Sequence, residues 1–383
     1  MNTIYFIYRA YVPNRASTNR ALGYLRALSS YGVPVEVLFL LPDENYSKIK
    51  EHYEGINIEY CWENHYYNNR FLKQLSYVRY LLGIYKKLKK GDIVYTYSDI
   101  DLFPLVRSKK GVKLFHEITE HPLVHPPKGI LFNWGIKRYC KWCSKLDGLF
   151  VISTTLKDFF VTNGVPEEKV GIVNMTVDPL RFDGLQKESG EKYFAYCGNG
   201  NNRKDKVDDL IRAFALIAKR YDDINFKIIG PTKQTYKEEQ DNLGLVHQLG
   251  LDNRVIFTGM KPAEEIPALL VNAAGLFLTR PDNLQNQAGF PTKLGEYLLS
   301  GNPVVVAGVG DIPNFLTNGV DAYVYSPGDM NAVINAMDDI LENPIRAHQI
   351  GASGKDIANK CFNVNVETLK LIKAFGIQIP INN

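Results

Sequence analysis

Residues 284–308, with the sequence LQNQAGFPTKLGEYLLSGNPVVVAG, constrain the fold of this 383-residue chain more than any other stretch. A polar loop over residues 284–289 leads towards Pro291, and proline is favoured in the first turn of a helix. The apolar spacing predicts that helix over residues 292–300, and residues 304–306 are the β-branched run of a buried parallel strand. A helix start beside the end of a parallel strand is a common binding site for anionic ligands.

Strand-like and helix-like segments alternate along the rest of the chain. A strand, a polar loop, an amphipathic helix and a second strand follow one another from Thr3, and the same order returns from Tyr193. The polar, glycine-containing stretch at residues 183–191 is the best candidate for a linker. The sequence therefore predicts two doubly wound α/β domains, over residues 1–185 and 191–363.

Composition excludes several classes of protein. The chain is 45% hydrophobic and 22% charged, which is typical of globular domains, and its net charge of +4 is too small for a general nucleic-acid-binding protein. Its five scattered cysteines indicate a reduced, cytoplasmic protein. We expect no signal peptide, because no basic segment precedes an apolar run at the start, and no apolar run is long enough to span a membrane.

Basic residues are concentrated in the first half of the chain. Residues 70–145 contain 16 Lys and Arg but only 5 Asp and Glu. Within this region, residues 70–90 and 126–145 combine basic side chains with aromatic and aliphatic ones at helical spacing. Such helices are typical of proteins that dock on anionic membranes. The alternative is a solvated basic face over an ordinary core.

Two stretches resemble a known family. Residues 290–305, FPTKLGEYLLSGNPVV, resemble the donor-binding segment of GT-B glycosyltransferases, in particular family 4, the glycosyl transferases group 1. Residues 147–182 resemble the end of the first domain in that family. The resemblance implies the GT-B fold, with two Rossmann-like domains facing a central cleft. It also implies that a C-terminal helix, within about residues 364–383, crosses back to the first domain.

The resemblance also implies an activity. The first domain would bind an acceptor glycan and the second a UDP- or GDP-sugar, and the sugar would be transferred with retention of configuration. Neither a metal nor another cofactor would be needed, because the leaving phosphate takes the acceptor's proton. A lipid-linked acceptor, a role in cell-surface polysaccharide or glycoconjugate synthesis, and a peripheral location at the inner face of the membrane are the corresponding expectations. The alternatives are a catalytically degenerate nucleotide-binding module and a sugar-nucleotide epimerase.

The resemblance carries over to named donor-binding residues. Glu296 would grip the ribose, because one carboxylate can accept hydrogen bonds from both ribose hydroxyls. Arg203 and Lys204 would contact the diphosphate, although the usual Lys-Gly pair is altered here to residues 204–206, Lys-Asp-Lys. Arg280 would bind phosphate or position the neighbouring loop. The other predicted donor-binding positions are loop and strand-end residues: Gly198, Asn199, Gly230, Met260, Gln287, Gly289, Phe290, Thr292 and Lys293.

Two further positions bear on catalysis. His116 follows a predicted strand where the family has a histidine near the reacting sugar, so it is the candidate catalytic residue, with His121 second. The family motif has two glutamates, and the first of them is replaced here by Ala288. Either Gln287 or a neighbour substitutes for it, or the sugar preference differs, or activity is lost.

Overall fold

The computed structural model forms two compact units. Unit 1 comprises residues 1–174 and 364–383, and unit 2 comprises residues 175–363. The boundary thus precedes the polar stretch at residues 183–191. The structure describes residues 3–10, 16–41, 56–60, 69–97, 100–127, 135–200, 202–231 and 241–379.

Unit 1 is built on a sheet of seven parallel strands. The strands are β1 (Ile4–Ala10), β2 (Val35–Leu41), β3 (Asn57–Tyr60), β4 (Ile93–Thr96), β5 (Lys113–Ile118), β6 (Gly148–Val151) and β7 (Val170–Ile172). Their order is β3-β2-β1-β4-β5-β6-β7. The helices of this part of the chain are α1 (Ala16–Ser30), α2 (Arg70–Lys87), α3 (Leu102–Arg107), α4 (Ile136–Cys143) and α5 (Thr154–Thr162).

Unit 2 has a sheet of six parallel strands. They are β8 (Lys192–Cys197), β9 (Ile224–Ile229), β10 (Val255–Gly259), β11 (Gly275–Leu278), β12 (Val304–Ala307) and β13 (Tyr323–Tyr325), in the order β10-β9-β8-β11-β12-β13. The helices are α6 (Asn202–Asp205), α7 (Val207–Ile217), α8 (Asn242–Gln248), α9 (Ile266–Val271), α10 (Leu284–Ala288), α11 (Thr292–Leu299), α12 (Met330–Glu342) and α13 (Pro344–Cys361). Helix α14 (Val364–Phe375) then returns to unit 1.

The predicted α/β class is confirmed, and the details differ in two places. The polar stretch before Pro291 was expected to be a loop, but it forms the short helix α10, because Asn283 caps it by accepting a hydrogen bond from Asn286 N at 3.0 Å. Helix α13 was not expected, because its apolar positions are few and interrupted by glycines. The polar composition of residues 233–249 also predicts a helix; residues 232–240 lie outside the described residues, and a helix is described from Asn242 to Gln248.

A buried ion pair organises the core of unit 1. Arg20 on α1 and Glu117 on β5 are almost fully buried, and Arg20 Nε donates to Glu117 Oε1 at 2.7 Å. The hydroxyls of Tyr24 and Tyr95 also donate to this carboxylate. The guanidinium donates in addition to the backbone carbonyls of residues 173–174, at 2.9 and 2.6 Å. The pair therefore ties α1 to the sheet and to the last residues of unit 1 before the chain enters unit 2.

The chain passes between the units twice, after Asn174 and after Asn363. On the unit 1 side, Asn174 N donates to Glu367 of α14 at 2.7 Å. On the unit 2 side, Val177 N donates to Phe362 O at 2.8 Å, and Val177 pairs with Asn363 in a parallel bridge. The two ends of unit 2 are thus hydrogen-bonded to each other.

Replacing Arg20 with alanine is expected to lower the free energy of unfolding of unit 1 by about 3–5 kcal/mol, because it leaves the buried Glu117 carboxylate without its cation. Urea denaturation followed by circular dichroism measures this change. Arg107→Ala is the matched control, since it removes an exposed pair with Asp147 at 3.5 Å and should cost about 1 kcal/mol or less. Equal losses in the two variants would contradict the role assigned to the buried pair.

Candidate functional site

The candidate site lies in unit 2 around the carboxyl end of β8, where the strand order reverses. In parallel sheets this is the edge at which ligands bind. Three segments are tied together there by hydrogen bonds. Asn286 Nδ2 of α10 donates to Lys204 O at 3.2 Å, and Thr279 Oγ1, just after β11, donates to the carbonyls of residues 205–206. Cys197 N at the end of β8 donates to the Tyr297 hydroxyl of α11 at 2.6 Å.

A buried carboxylate, Asp205, holds two of the predicted donor-binding cations. Its oxygens accept hydrogen bonds from the Lys293 ammonium, from Arg280 Nε at 3.4 Å and from the Tyr196 hydroxyl at 2.7 Å. Burial alone would raise the pKa of Asp205, but Lys293 and Arg280 outweigh it and lower that pKa to about 2. The cluster therefore contains one carboxylate and two cations, which leaves one positive charge at this edge of the sheet.

Arg280 has hydrogen-bonding capacity to spare. The residue is only 4% exposed, and its Nη1 has no hydrogen-bond partner within the described part of the chain. A buried donor without a partner is costly, so such a group favours an acceptor that arrives from outside. Lys293 is more accessible, with 20% of its side chain exposed. An anion such as phosphate could be bound by these two side chains together.

The turn that carries Arg203 and Lys204 is fixed through its backbone. The carbonyls of residues 204–206 all accept hydrogen bonds, and Lys206 adopts the left-handed conformation with φ 49°. Arg203 is exposed and Lys204 is half-buried. Sequence reasoning missed Asp205, Thr279 and Asn286. The one available signal was the Asp between two lysines, where the family pattern differs.

Packing explains why glycine stands at two of the predicted donor-binding positions, Gly198 and Gly230. Gly230 has φ 152°, and a Cβ on it would overlap the carbonyl oxygen of Gly198. A Cβ on Gly198 would lie 2.6 Å from the Tyr196 hydroxyl and would also overlap the Lys293 ammonium. Both glycines are thus required for the ends of β8 and β9 and the charged cluster to approach each other, whether or not a ligand binds.

Glu296 forms an ion pair with Arg181, a residue that the sequence analysis did not place in the site. Arg181 Nη1 donates to Glu296 Oε1, and Arg181 Nη2 donates to Ala263 O at 2.7 Å. The Glu296 side chain is 20% exposed, and its second oxygen has no hydrogen-bond partner within the described residues. Arg181 lies within residues 147–182, the second stretch that resembles the family, which was the only available signal.

The Gln287 side chain is committed to bonds within unit 2. Its Nε2 donates to Asp282 Oδ1 at 2.6 Å, and its Oε1 accepts from Gly310 N at 3.1 Å. Ala288 is fully buried. Because an amide has two N–H donors and two acceptor lone pairs, these bonds orient the Gln287 side chain and leave it capacity for a ligand.

The remaining predicted donor-binding residues of unit 2 differ in exposure and in hydrogen bonding. Gly289 N donates to Gln285 O at 3.0 Å, and the Phe290 ring is buried against two other phenylalanine rings. Thr292 is half-buried at the first helical position of α11. Asn199 and Met260 are exposed, the first after β8 and the second after β10.

His116 lies in unit 1 and is buried. Its Nε2 is 2.9 Å from the Tyr139 hydroxyl, and its Nδ1 is 3.0 Å from Thr96 O and 2.8 Å from Thr96 Oγ1. Burial lowers the pKa of His116 to about 3, so the ring is neutral at physiological pH. The ring lines a cavity of about 190 Å³ together with Tyr97 and Glu120. His121 is also buried, and its Nδ1 accepts from Leu123 N at 3.1 Å.

Within the described ranges, no group of three or more His, Cys, Asp or Glu side chains is arranged to hold a metal ion. The four cysteines in those ranges are free thiols. Metal-independent chemistry stays a prediction.

Residues 179–357 match the sequence model of a family described as Glycosyl transferases group 1. A GDP-mannose-dependent alpha-(1-6)-phosphatidylinositol monomannoside mannosyltransferase of Mycolicibacterium smegmatis is 30% identical over 153 residues, which cover 39% of this chain and 38% of that protein. A 2-deoxystreptamine glucosyltransferase of Streptomyces kanamyceticus is 26% identical over 194 residues, which cover 47% of each. The matched segments thus span less than half the length of these curated relatives.

The fold matches known structures over nearly its whole length. The crystal structure of HepE of Anabaena in complex with UDP and glucose superposes with a TM-score of 0.73 and 17% identity, covering 98% of this chain and 100% of that chain. At this identity the likeness shows the fold alone. The two-domain α/β architecture predicted from the sequence is the one these proteins share.

The stability of unit 1 is expected to fall as the pH drops from about 6.5 towards 3, partly because of His116. The pKa of His116 is lower in the folded protein than in the unfolded chain, so the unfolded chain binds protons more tightly between pH 3 and 6.5. Above about pH 6.5 the stabilising contribution of His116 is complete. His116→Gln should flatten this part of the stability curve, measured by urea denaturation at several pH values. The control His247→Gln changes an exposed histidine of unit 2. Identical slopes for the wild type and His116→Gln would contradict the prediction.

Proposed function

From the match of residues 179–357 to the glycosyl transferases group 1, we propose that the protein is a retaining glycosyltransferase of the GT-B fold. It transfers a hexose from a UDP- or GDP-sugar, bound by unit 2, to a glycan acceptor bound by unit 1, in the synthesis of cell-surface polysaccharide or glycoconjugate. The observation that carries this proposal is the cluster of Asp205, Arg280 and Lys293 next to the start of α11.

The charged cluster suits a nucleotide diphosphate. The donor brings a pyrophosphate, and the leaving nucleoside diphosphate gains negative charge in the transition state. Arg280 Nη1 and the Lys293 ammonium are held in place by Asp205 before any ligand binds. Fixed cations of this kind stabilise the developing charge without reorganising, and the N-terminus of α11 adds its dipole. Arg203 and Lys204 would extend the same positive surface.

The neutral His116 fits the retaining mechanism implied by the family. A histidine with a pKa near 3 is a weak base at neutral pH. The leaving phosphate would therefore accept the proton of the acceptor hydroxyl, as the family mechanism has it. His116 would then contribute a hydrogen bond near the reacting sugar by exchanging the Tyr139 hydroxyl at Nε2, at the cavity that it lines with Tyr97 and Glu120.

We further propose that unit 1 docks on an anionic membrane, because helix α2 has two apolar faces. Its buried face contains Tyr77, Tyr80, Leu81 and Ile84. The opposite face exposes an apolar stripe whose members are four, three and four residues apart, as one side of a helix requires. This exposed stripe consists of Phe71, Leu75, Val78 and Leu82.

Charge makes a lipid surface the favoured partner of the exposed stripe. Exposed lysines follow the stripe at residues 86–87 and 89–90, and Arg79 lies beside it. Insertion of the apolar side chains and attraction of the basic ones reinforce each other at a membrane with anionic lipids. No helix in the described residues is long and apolar enough to cross a membrane. We therefore propose peripheral binding at the inner face, with a lipid-linked acceptor. Residues 128–134, within the second basic segment, lie outside the described residues.

The proposed reaction is tested with a panel of UDP- and GDP-sugars, by measuring nucleotide binding and donor hydrolysis. Glu296→Ala is expected to weaken nucleotide binding by ~1.5–3 kcal/mol, because it removes a charge-assisted hydrogen bond. Glu264→Ala, which changes an exposed glutamate of the same unit, is the control.

Each outcome of this panel selects one function. Binding without turnover of any donor would favour the degenerate module, for which Ala288 is the motivating feature. Interconversion of nucleotide-sugars without an acceptor would show an epimerase. Neither binding nor turnover of any donor would rule out the proposed activity.

Flotation with liposomes tests the membrane contact. Leu75→Ser combined with Leu82→Ser should reduce binding to anionic liposomes by about tenfold or more, since two leucines no longer insert. The control Leu216→Ser replaces a leucine of unit 2 that is 46% exposed, close to the 48% of Leu75. Binding should also weaken as salt rises. If the double variant floats with anionic liposomes as well as the wild type does, the exposed stripe is not the membrane-binding surface.

A further inference from the structure

We infer that Arg181 is a positioning residue for the donor, which holds one oxygen of Glu296 so that the other oxygen is presented to the ribose of the nucleotide. This inference rests on the proposed function and extends it to a residue that touches neither the sugar nor the phosphates. Arg181 lies in the 3-10 turn at residues 179–182, close to the start of unit 2.

The guanidinium of Arg181 is anchored at two points. Its turn is capped by Asp178, whose Oδ1 accepts from Leu180 N at 3.1 Å. One end of the guanidinium donates to Ala263 O at 2.7 Å, and the other donates to Glu296 Oε1. A guanidinium is a planar, rigid fork, so fixing one end fixes the direction of the other. Arg181 therefore presents a defined site to the carboxylate.

The backbone of Glu296 is fixed independently. The next residue, Tyr297, is fully buried, and its hydroxyl accepts from Cys197 N at 2.6 Å and donates to Cys197 O at 3.2 Å. Helix α11 is thereby attached to the end of β8. What is left to determine is the direction of the Glu296 side chain, which is 20% exposed and has several rotamers available.

Arg181 selects one of these rotamers. With Oε1 held by the guanidinium, Oε2 has no hydrogen-bond partner within the part of the chain that the structure describes, and it is free to accept from a ligand hydroxyl. Ordering the side chain before binding removes an entropy cost that the nucleotide would otherwise meet.

Two other roles for the pair make different predictions. If Arg181 competed with the ribose for Glu296, removing it would tighten nucleotide binding. If Arg181 only anchored the 3-10 turn to Ala263 O, removing it would lower the stability of the protein and leave its affinity for the nucleotide unchanged. Positioning alone predicts a loss of affinity that depends on both Glu296 and the ribose.

The test is a double-mutant cycle with Arg181→Gln and Glu296→Gln, using the full chain. Binding of UDP, GDP, their 2′,3′-dideoxy analogues and inorganic pyrophosphate is measured by calorimetry. Arg181→Gln is expected to weaken the binding of whichever nucleotide the wild type prefers by roughly five- to thirtyfold. Binding of pyrophosphate and of the dideoxy analogue should change little, and Arg181→Gln should have little further effect in the Glu296→Gln background.

Two further variants separate positioning from stability. Arg181→Lys keeps one donor for Glu296 and should restore part of the affinity. Arg254→Gln is the matched control, because Arg254 also donates to backbone carbonyls of unit 2, at 2.7 Å to Tyr221 O, but forms no ion pair with a carboxylate of the described residues. It should lower the unfolding temperature without changing nucleotide affinity. With turnover, Arg181→Gln should raise KM for the nucleotide-sugar more than it lowers kcat, since the ribose contact is made throughout the reaction.

The outcomes distinguish the inference from the proposed function. Tighter binding by Arg181→Gln, an equal loss for pyrophosphate, or an undiminished effect in the Glu296→Gln background would each overturn the inference alone. A wild-type protein that binds neither UDP nor GDP would overturn the proposed function and the inference with it.

Discussion

The architecture of unit 2 around the candidate site depends on the interactions of one buried carboxylate, that of Asp205. It receives Tyr196 from β8, Arg280 from the end of β11 and Lys293 from α11, so three segments that are distant in sequence meet at one side chain. Without this anion, a nearly fully buried guanidinium would lose its counter-charge, which is a large cost in a protein interior. The same arrangement keeps an excess positive charge at the edge of the sheet, so structural and electrostatic requirements are met by one group.

Much of this could be predicted from the sequence, because both sheets consist of short, mainly apolar strands separated by amphipathic helices. That alternation predicts parallel sheets, and the resemblance of residues 290–305 to the group 1 glycosyltransferases is confirmed by the family match over residues 179–357. The partners within the site could not be predicted. Arg181 and Glu296 are 115 positions apart, and no local pattern reports a contact at that separation. The ring of Phe290 lies in the core, and a donor contact through its backbone amide stays a prediction.

Helix α2 shows a different limit of periodicity. Apolar residues at a spacing of three and four mark a face of a helix, but they do not tell which face is buried when a helix has two. Tyr77 and Tyr80 lie on the buried side with large half-polar rings, whereas Phe71 and Leu75 remain exposed. The exposed fraction of each side chain resolves what the spacing leaves open.

The hydrogen bond between Val177 and Phe362 has a consequence for how this chain can be divided. Because Val177, near the start of unit 2, pairs with Asn363 at its end, residues 175–363 are inserted into unit 1 as a segment whose two ends are joined. The cluster around Asp205, the Glu296 pair and all the strands of the second sheet lie inside that segment. Unit 2, with the candidate site, is therefore encoded by one uninterrupted stretch of the gene, whereas unit 1 is encoded by two.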